Sequence, residues 1–441
     1  MRASSGATMR TFFAIAVALL SLQLWKAKYG LKNAIFTTPD LPEGYYHAGN
    51  YLTQCSTLKD EQNGLLKHCE DATFWEMHDD AGKLTERKVI LSCDAGRREW
   101  NTVMGPLKNP EPHGSLWLYT PQTSKTVQIS LEEYPAGHDF HPLGIEVYPS
   151  YGGNASYLYV VNHARQKTVI EQFLVDPAKP TLAKYLQTLS HPLFISPNSV
   201  ALTSPTSFFV TNDHLFTRRL PILGSFVPLV ETLLTLPLGF VSHVSLDGRA
   251  ESEQSTISHS VVAPFISFSN GVAVSPQGSQ LAVASTTVGK VYIYNITKSP
   301  SPSVTHVHTI QLPFSVDNLA WTSPSEIVVA GHPHFPSLLK FIARKREYAP
   351  SWVVAIQINI DGSPKATPNE TKTFDIHAPL SLNTKVPPPP APYTIETLFQ
   401  SDGSVFSTST TGLHDPLTGE LYISGLYAED GAMICKPEVN Q

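Results

Sequence analysis

"SNGVAVSPQGSQLAVAS", residues 269–285, holds one short pattern: a Ser-Asn-Gly turn, a brief apolar strand, a Pro- and Gly-bearing turn, and a second, more strongly apolar strand. The same pattern returns as "PLGIEVYPSYGGNASYLYVVN" (142–162), "PNSVALTSPTSFFVTND" (197–213), "DNLAWTSPSEIVVAG" (317–331) and "TGLHDPLTGELYISG" (411–425). A weaker copy reads "CEDATFWEMHD" (69–79) followed by "KVILSC" (88–93). The second strand of each copy is the clearest β signal, as in "LYVV", "FFV", "LAVA" and "IVVA". Six imperfect copies of one hairpin unit predict an all-β chain folded as a six-bladed β-propeller, each blade a small antiparallel sheet. A pair of β-sandwiches would not repeat one unit six times. In a propeller the innermost strands line a central channel, and the residues that begin those strands meet at one mouth.

Composition agrees. The 36 prolines and 26 glycines among 441 residues interrupt the chain too often for long helices and suit many short strands. With 10% aromatic and 15% charged residues the chain can fill a large core. A net charge of −6 with scattered Lys and Arg excludes a nucleic-acid partner.

The N-terminus reads as an address. Arg2 and Arg10 precede "TFFAIAVALLSLQLW" (11–25), which is shorter than the roughly 20 residues of a spanning helix and fits a signal-peptide core. Trp25, Lys26 and Lys28 leave no clear small-residue cleavage site, so an uncleaved signal-anchor is the competing reading. Residues 1–28 are thus expected to be a signal peptide or signal-anchor, and 29–441 a propeller in the secretory pathway, secreted or anchored facing the lumen. Acceptor sequons at Asn154, Asn295 and Asn369 fit that compartment. So does an even set of cysteines, Cys55, Cys69, Cys93 and Cys435, which allows three pairings. Three of them precede residue 94, so one bridge is expected to join the two ends of the fold.

Aligning the copies in phase puts Asn198 and Asn270 at the start of their first strands, Asn318 at the same place with Asp317 beside it, and Glu70 there in the weak copy. Leu143 and Thr411 occupy that position in the remaining two. Such residues are common in Asx turns at strand entrances. Four in one phase point instead to a ring of oxygens at the channel mouth. Two carboxylates and three amides, without sulfur, suit Ca²⁺, which takes 6–8 oxygens in irregular geometry. Zn²⁺ favours His and Cys in a tetrahedron.

The motifs "GIEVYPSYGGNASYLYVVNHARQKTVIEQFLVD", "NSVALTSPTSFFVTNDHLF", "FSNGVAVSPQGSQLAVASTTVGKVYIYN", "VDNLAW" and "AGHPH" resemble the serum paraoxonase/arylesterase family of six-bladed propellers, over about residues 50–437. That resemblance implies a secreted or lumenal calcium-dependent hydrolase of aryl esters and lactones. It implies a catalytic calcium held by Glu70, Asn198, Asn270, Asp317 and Asn318, the residues chosen by phase. It implies a structural calcium at Asp71, the Ile145 carbonyl and a position that here is Ser199, a poorer ligand. It implies a Cys55–Cys435 bridge. Cys69 and Cys93 have no counterpart there, and a bridge between the two strands of the first copy is one expectation for them. Of the family's histidine pair, one member matches His163 and the other falls on Leu143, two residues after His141. Asp213, His214 and His332 match polar positions near the family's site.

The apolar stretch 216–246, broken by Pro221, Pro228 and Pro237, is longer than a blade strand needs, and the resemblance implies that it forms a helical lid over the active site that touches membrane or lipid, together with the N-terminal segment. "KVPPPPAPY" (385–393) reads as a rigid surface connection. The mechanism these residues suggest is attack of an activated water on a carbonyl polarised by calcium, with His163, Asp213 or Glu70 as base. No G-x-S-x-G elbow occurs, which disfavours a serine hydrolase. The rivals are a non-catalytic, calcium-stabilised binding module and a lyase resembling strictosidine synthase, a group without the oxygen ring.

Overall fold

The computed structural model describes residues 4–31, 45–47, 51–60, 63–247, 255–297, 302–358 and 393–437. Asn369 and residues 385–392 of the proline run lie outside the described residues. The fold is an all-β propeller. Each sequence copy forms the two inner strands of a sheet: Cys69–His78 with Leu84–Cys93, Pro142–Val147 with Ser156–Asn162, Pro197–Ser204 with Ser207–Asn212, Ser269–Val274 with Gln280–Ser285, Ser315–Ser323 with Glu326–His332, and Ser409–His414 with Leu421–Gly425. Pairing is antiparallel within each unit. The first two units are joined into one nine-stranded sheet by parallel pairing of their outer strands, Lys125–Glu132 and Lys179–Leu189. The innermost strands lie side by side in chain order, and the last packs against the first.

The apolar faces of neighbouring sheets meet in the core. Trp75, Ile90, Leu116, Val160 and Phe173 form one such cluster, and Ile293, Val316, Ile327 and Trp352 another. The ring is closed by the chain's two ends. Cys55–Thr57 pairs with Ala432–Cys435, and Cys55 is bonded to Cys435. The second bridge, Cys69–Cys93, joins directly paired residues of the first unit.

One irregularity repeats. Every innermost strand loses register with its neighbour near its start: between Cys69 and Asp71, Pro142 and Ile145, Pro197 and Val200, Ser269 and Val272, Val316 and Leu319, and Ser409 and Thr411. A β-bulge releases residues from the ladder and re-aims their side chains. The released residues include Glu70, Leu143, Asn198, Asn270, Asp317 and Asn318. This is why an acid and an amide that are neighbours in sequence can both face the channel.

The bulges bring adjacent inner strands very close, and glycines make room. A Cβ on Gly271 would lie 2.6 Å from Asn318 Cα and 2.8 Å from Asp317 O. A Cβ on Gly144 would lie 2.3 Å from Asn198 O. Backbone cannot yield as a side chain can, so Gly271→Ala is expected to destabilise the chelator-treated protein by about 1–3 kcal/mol in urea unfolding, as overpacking does. Stability equal to the parent's would show that the two strands can separate freely.

The expected lid divides in two. Val227–Leu233 is helical, but Gly239–Asp247 is the third strand of a sheet, because its alternating apolar residues pair with Ser207–Asn212. The N-terminal segment is a helix, Ser4–Leu31, whose Gln23 donates to the carbonyls of Leu234 (3.1 Å) and Thr235 (2.8 Å) beside that short helix. No helix among the described residues is long and apolar enough to cross a membrane.

Candidate functional site

The bulges deliver Glu70, Asn198, Asn270, Asp317 and Asn318 to one mouth of the channel, all at most 6% exposed. Each amide is held by its nitrogen. Asn318 Nδ2 donates to Glu70 Oε1 (3.0 Å) and Thr411 Oγ1 (3.0 Å), Asn270 Nδ2 to Thr286 Oγ1 (3.0 Å), and Asn198 Nδ2 to Asp213 Oδ2 (3.4 Å). For Asn318 and Asn198 the carboxylate partner accepts, which fixes which end of the amide is nitrogen; Asn270 is held by a hydroxyl. That leaves Asn198 Oδ1, Asn270 Oδ1, Asn318 Oδ1 and Glu70 Oε2 buried without a hydrogen-bond donor among the described residues. Buried acceptors are rarely left unpaired. Burial, and then the carboxylates of Asp71 and Asp317, push the Glu70 carboxyl well above its ordinary range. Unpaired oxygens and crowded carboxylates are both relieved by a hard cation, so this donor set fits one. Among the described residues no three or more His, Cys, Asp or Glu side chains gather as a metal cluster, and the ring depends on its amides.

The second metal site expected from sequence does not fit. Asp71 Oδ1 accepts from the Ala72 N–H (2.8 Å) and the Thr411 hydroxyl (2.8 Å), and Oδ2 from the Ile145 N–H (2.9 Å). Ser199 Oγ accepts from the Val272 N–H (3.4 Å). The Thr411 hydroxyl and two amides take up both Asp71 oxygens and offset part of the burial that raises its carboxyl to about 6.

The ring divides the channel. On one side is a cavity of about 50 Å³ whose walls carry Glu70, Asn198, Asn270 and Asp317, with an apolar rim of Val103, Met104, Phe335, Leu338, Ile342 and Leu426. This rim comes from the loop after Cys93, the helix Phe335–Ile342 and Leu426 just beyond the strand Leu421–Gly425, not from residues 216–238. Asn318, Asp71 and Ser199 border the other side, an open channel of about 890 Å³.

Glu146 stands in that open channel and takes a hydrogen bond from Thr73 (3.2 Å). Burial, then Asp71, raise its carboxyl to about 8 from 4.5. A carboxyl raised on folding contributes stability that is full below its unfolded value and is lost as pH rises through its folded value. Glu146→Gln keeps the Thr73 bond and does not titrate. Its stability relative to the parent should therefore climb between pH 4.5 and pH 8, by about 1–2 kcal/mol after allowing for the wet channel. A pH-independent difference in urea unfolding would contradict this.

The expected catalytic histidines occupy four environments. His163 is fully engaged: Nε2 donates to Pro197 O (2.8 Å) and Nδ1 accepts the Thr102 hydroxyl (2.7 Å). Burial and the Arg219 guanidinium pull it down to about 4. His332 Nε2 donates to Asp317 Oδ2 (2.8 Å), and its Nδ1 is unpartnered. His214 reaches Thr232 Oγ1 through Nε2 (2.7 Å), while its Nδ1 lies 3.2 Å from Asp213 Oδ1 out of hydrogen-bond alignment. His141 Nδ1 lies 2.9 Å from Asp94 Oδ2. His141, His163, His332 and Asp213 line the small cavity, whereas His214 does not. Sequence reasoning did not find Asp94, Arg97 or Trp100. They lie on an irregular loop without periodicity, and "SCDAGRREW" gave only its polarity as a signal. Arg97 and Trp100 also line the cavity, and Trp100 Nε1 donates to His163 O (2.8 Å).

Among known proteins, serum paraoxonase/lactonase 3 of Homo sapiens is 30% identical over 236 residues, 53% of this chain and 61% of that protein. Serum paraoxonase/arylesterase 2 of Homo sapiens is 26% identical over 294 residues, 66% of this chain and 69% of that protein. Serum paraoxonase/arylesterase 1 of Homo sapiens is 30% identical over 230 residues, 52% of this chain and 58% of that protein. The matches thus span between 58% and 69% of these relatives' own length. The sequence model of the Arylesterase family matches residues 107–373, a stretch that contains four of the five ring residues. A match over more than half of the chain, running through that ring, makes the protein a member of the Arylesterase family.

Proposed function

We propose that this protein is a calcium-dependent hydrolase of carboxylic esters, acting on aryl esters, lactones or both. The observation that carries the reading is the set of four buried oxygens without a donor among the described residues, on Glu70, Asn198 and Asn270 in the wall of one cavity and on Asn318, which is hydrogen-bonded to Glu70. With Asp317 they would hold the calcium. When bound, it would supply electrostatic stabilisation for the negative charge that develops on the carbonyl oxygen. The chain's own groups do the rest. The bonds from Glu70, Thr286, Asp213 and Thr411 to the ring amides hold the oxygens in place without reorganisation. The rim of Met104, Phe335, Leu338 and Ile342 takes the acyl or aryl part and excludes bulk water. The names of the relatives, which include lactonase and arylesterase, support the same substrate class.

We further read the ring as six blades, the nine-stranded sheet counting as two, and the protein as one of the secretory pathway. Exposed Asn154 and Asn295 are available for glycosylation there. Contact with lipid is proposed through Phe13, Leu19 and Trp25 of the N-terminal helix and Ile222, Leu223 and Phe226 near the short helix it joins, all exposed.

One observation favours a second reading. The cavity of about 50 Å³ is smaller than the roughly 300 Å³ of a common ligand pocket, as in a binding module that keeps calcium only for stability. Hydrolysis of a panel of phenyl esters and δ-lactones, in calcium and in chelator, separates the two. Turnover in calcium that is lost in chelator supports the hydrolase. Thermal stabilisation by calcium without turnover of any ester supports the module.

A further inference from the structure

We infer that Asp94 and His141 form the proton-transfer pair of this protein, with Nε2 of His141 as the general base toward the attacking water. This rests on the hydrolase reading above.

Both side chains are sealed in the fold, Asp94 at 0% and His141 at 1% exposure. Asp94 directly follows the disulfide-bonded Cys93. Its Oδ1 accepts the Gly96 N–H (2.9 Å), and its Oδ2 faces His141 Nδ1 at 2.9 Å. The backbone of His141 is clamped on both sides: its N–H donates to Asn162 Oδ1 (2.8 Å), and its carbonyl accepts from the His163 N–H (3.0 Å). The ring packs against Trp100 at 5.6 Å between centroids, and His113 meets it edge-on at 5.6 Å. Position and orientation are therefore fixed before any substrate arrives.

The pairing sets the tautomer. A carboxylate only accepts, so Nδ1 carries the hydrogen and Nε2 of the neutral ring keeps its lone pair. That nitrogen is buried, has no partner among the described residues, and belongs to a side chain in the wall of the cavity that carries Glu70, Asn198, Asn270 and Asp317. A buried acceptor without a donor costs about 1–3 kcal/mol. A cavity of about 50 Å³ has room for the water that would supply the donor.

The other cavity histidines are less suited. His163 has both nitrogens in use. His332 spends Nε2 on Asp317, whose negative charge is shared with the cation site. Asp94 serves no such site, so its charge is available to steady an imidazolium. Leu143, at the position where the family has a histidine, packs with Tyr159 and Phe208 in an apolar cluster. On this reading the base reaches the cavity from two residues earlier.

The step balances. As the water oxygen bonds to the acyl carbon, Nε2 takes one water proton and the C=O π pair moves onto the carbonyl oxygen. When the pair returns, the ester C–O bond breaks, and the imidazolium gives its proton to the leaving alkoxide or phenoxide. Acid and alcohol leave, and neutral His141 is restored. His141 is the catalytic residue and Asp94 its positioning partner.

The test uses the full chain in calcium with phenyl acetate. His141→Asn keeps an N–H toward Asp94 but removes the lone pair, so kcat should fall about 10²-fold or more with KM within about threefold. Asp94→Asn keeps the Gly96 bond but offers N–H to Nδ1, forcing the hydrogen onto Nε2, and kcat should fall comparably. The double variant should be no worse than either single one, since both remove one function. In His141→Ala, added imidazole should restore turnover in proportion to its concentration. The calcium-dependent rise in Tm should match the parent's in every variant. Turnover of His141→Asn within about threefold of the parent, or additive losses without imidazole rescue, overturns the pair while leaving the hydrolase reading intact. A parent that is inert toward every ester overturns both.

Discussion

Asp317→Ala is expected to abolish calcium-dependent ester hydrolysis and the thermal stabilisation that calcium gives. The substitution removes one of the two ring carboxylates and leaves the buried His332 Nε2–H without its acceptor. A cation that binds only the folded state stabilises it by mass action, about 2.7 kcal/mol at a hundred times its Kd, and this gain should vanish in the variant. Loss of the charge-stabilising site should lower kcat/KM about 10²–10³-fold or more. The comparison in chelator has a different sign. There the negative charges of Asp71 and Asp317 add to the burial that chiefly raises the Glu70 carboxyl, so removing Asp317 relieves part of that repulsion. At pH 8 in chelator the variant should lose much less stability than it does in calcium. Tm measured with and without calcium, alongside phenyl acetate turnover, decides the matter. A variant that keeps the calcium-dependent rise in Tm would sink the cation assignment of the ring. Asn270→Ala should act in the same direction and less strongly, since it removes a neutral oxygen.

Replacing Cys55 and Cys435 together by serine should destabilise the protein by about 2–5 kcal/mol, read as a lower urea midpoint. The bridge spans 380 positions and joins the strand Cys55–Thr57 to Ala432–Cys435, the step that closes the ring. The chain-entropy estimate for so long a loop is about 5–6 kcal/mol, an upper bound because hydrogen-bonded pairing already holds the two strands together. Cys69–Cys93 spans only 24 positions, for which the same estimate is about 3–4 kcal/mol. Removing the long bridge should therefore cost more stability. Removing the short one should cost more activity, because Glu70 and Asp94 adjoin its two ends. The reverse order would show that pairing between the ends, and not the covalent latch, closes the propeller.

The repeat unit was readable because it is local. Alternating apolar strands, and turns rich in Pro, Gly and Asn, lie within some twenty residues of each other, and chain order gives neighbour order in a propeller. Four of the ring residues were readable for the same reason: Glu70, Asn198, Asn270 and Asn318 recur at one phase of that unit, with Asp317 beside the last of them. Phase alone does not explain how Asp317 and Asn318 both face inward. The bulge does that, and a bulge is a property of two paired strands. The partners across the ring were also out of reach. Thr411 satisfies Asp71 from 340 positions away, and Asp94 meets His141 across 47. Nothing in the local pattern of either residue marks such a pair, because it exists only once the last blade packs on the first or a structureless loop folds over the channel mouth. The apolar run 216–246 had the composition of a lid, yet the cavity is roofed by Phe335–Ile342 and the loop after Cys93. Hydrophobicity shows that a segment must be covered, whereas the closed ring decides what it covers.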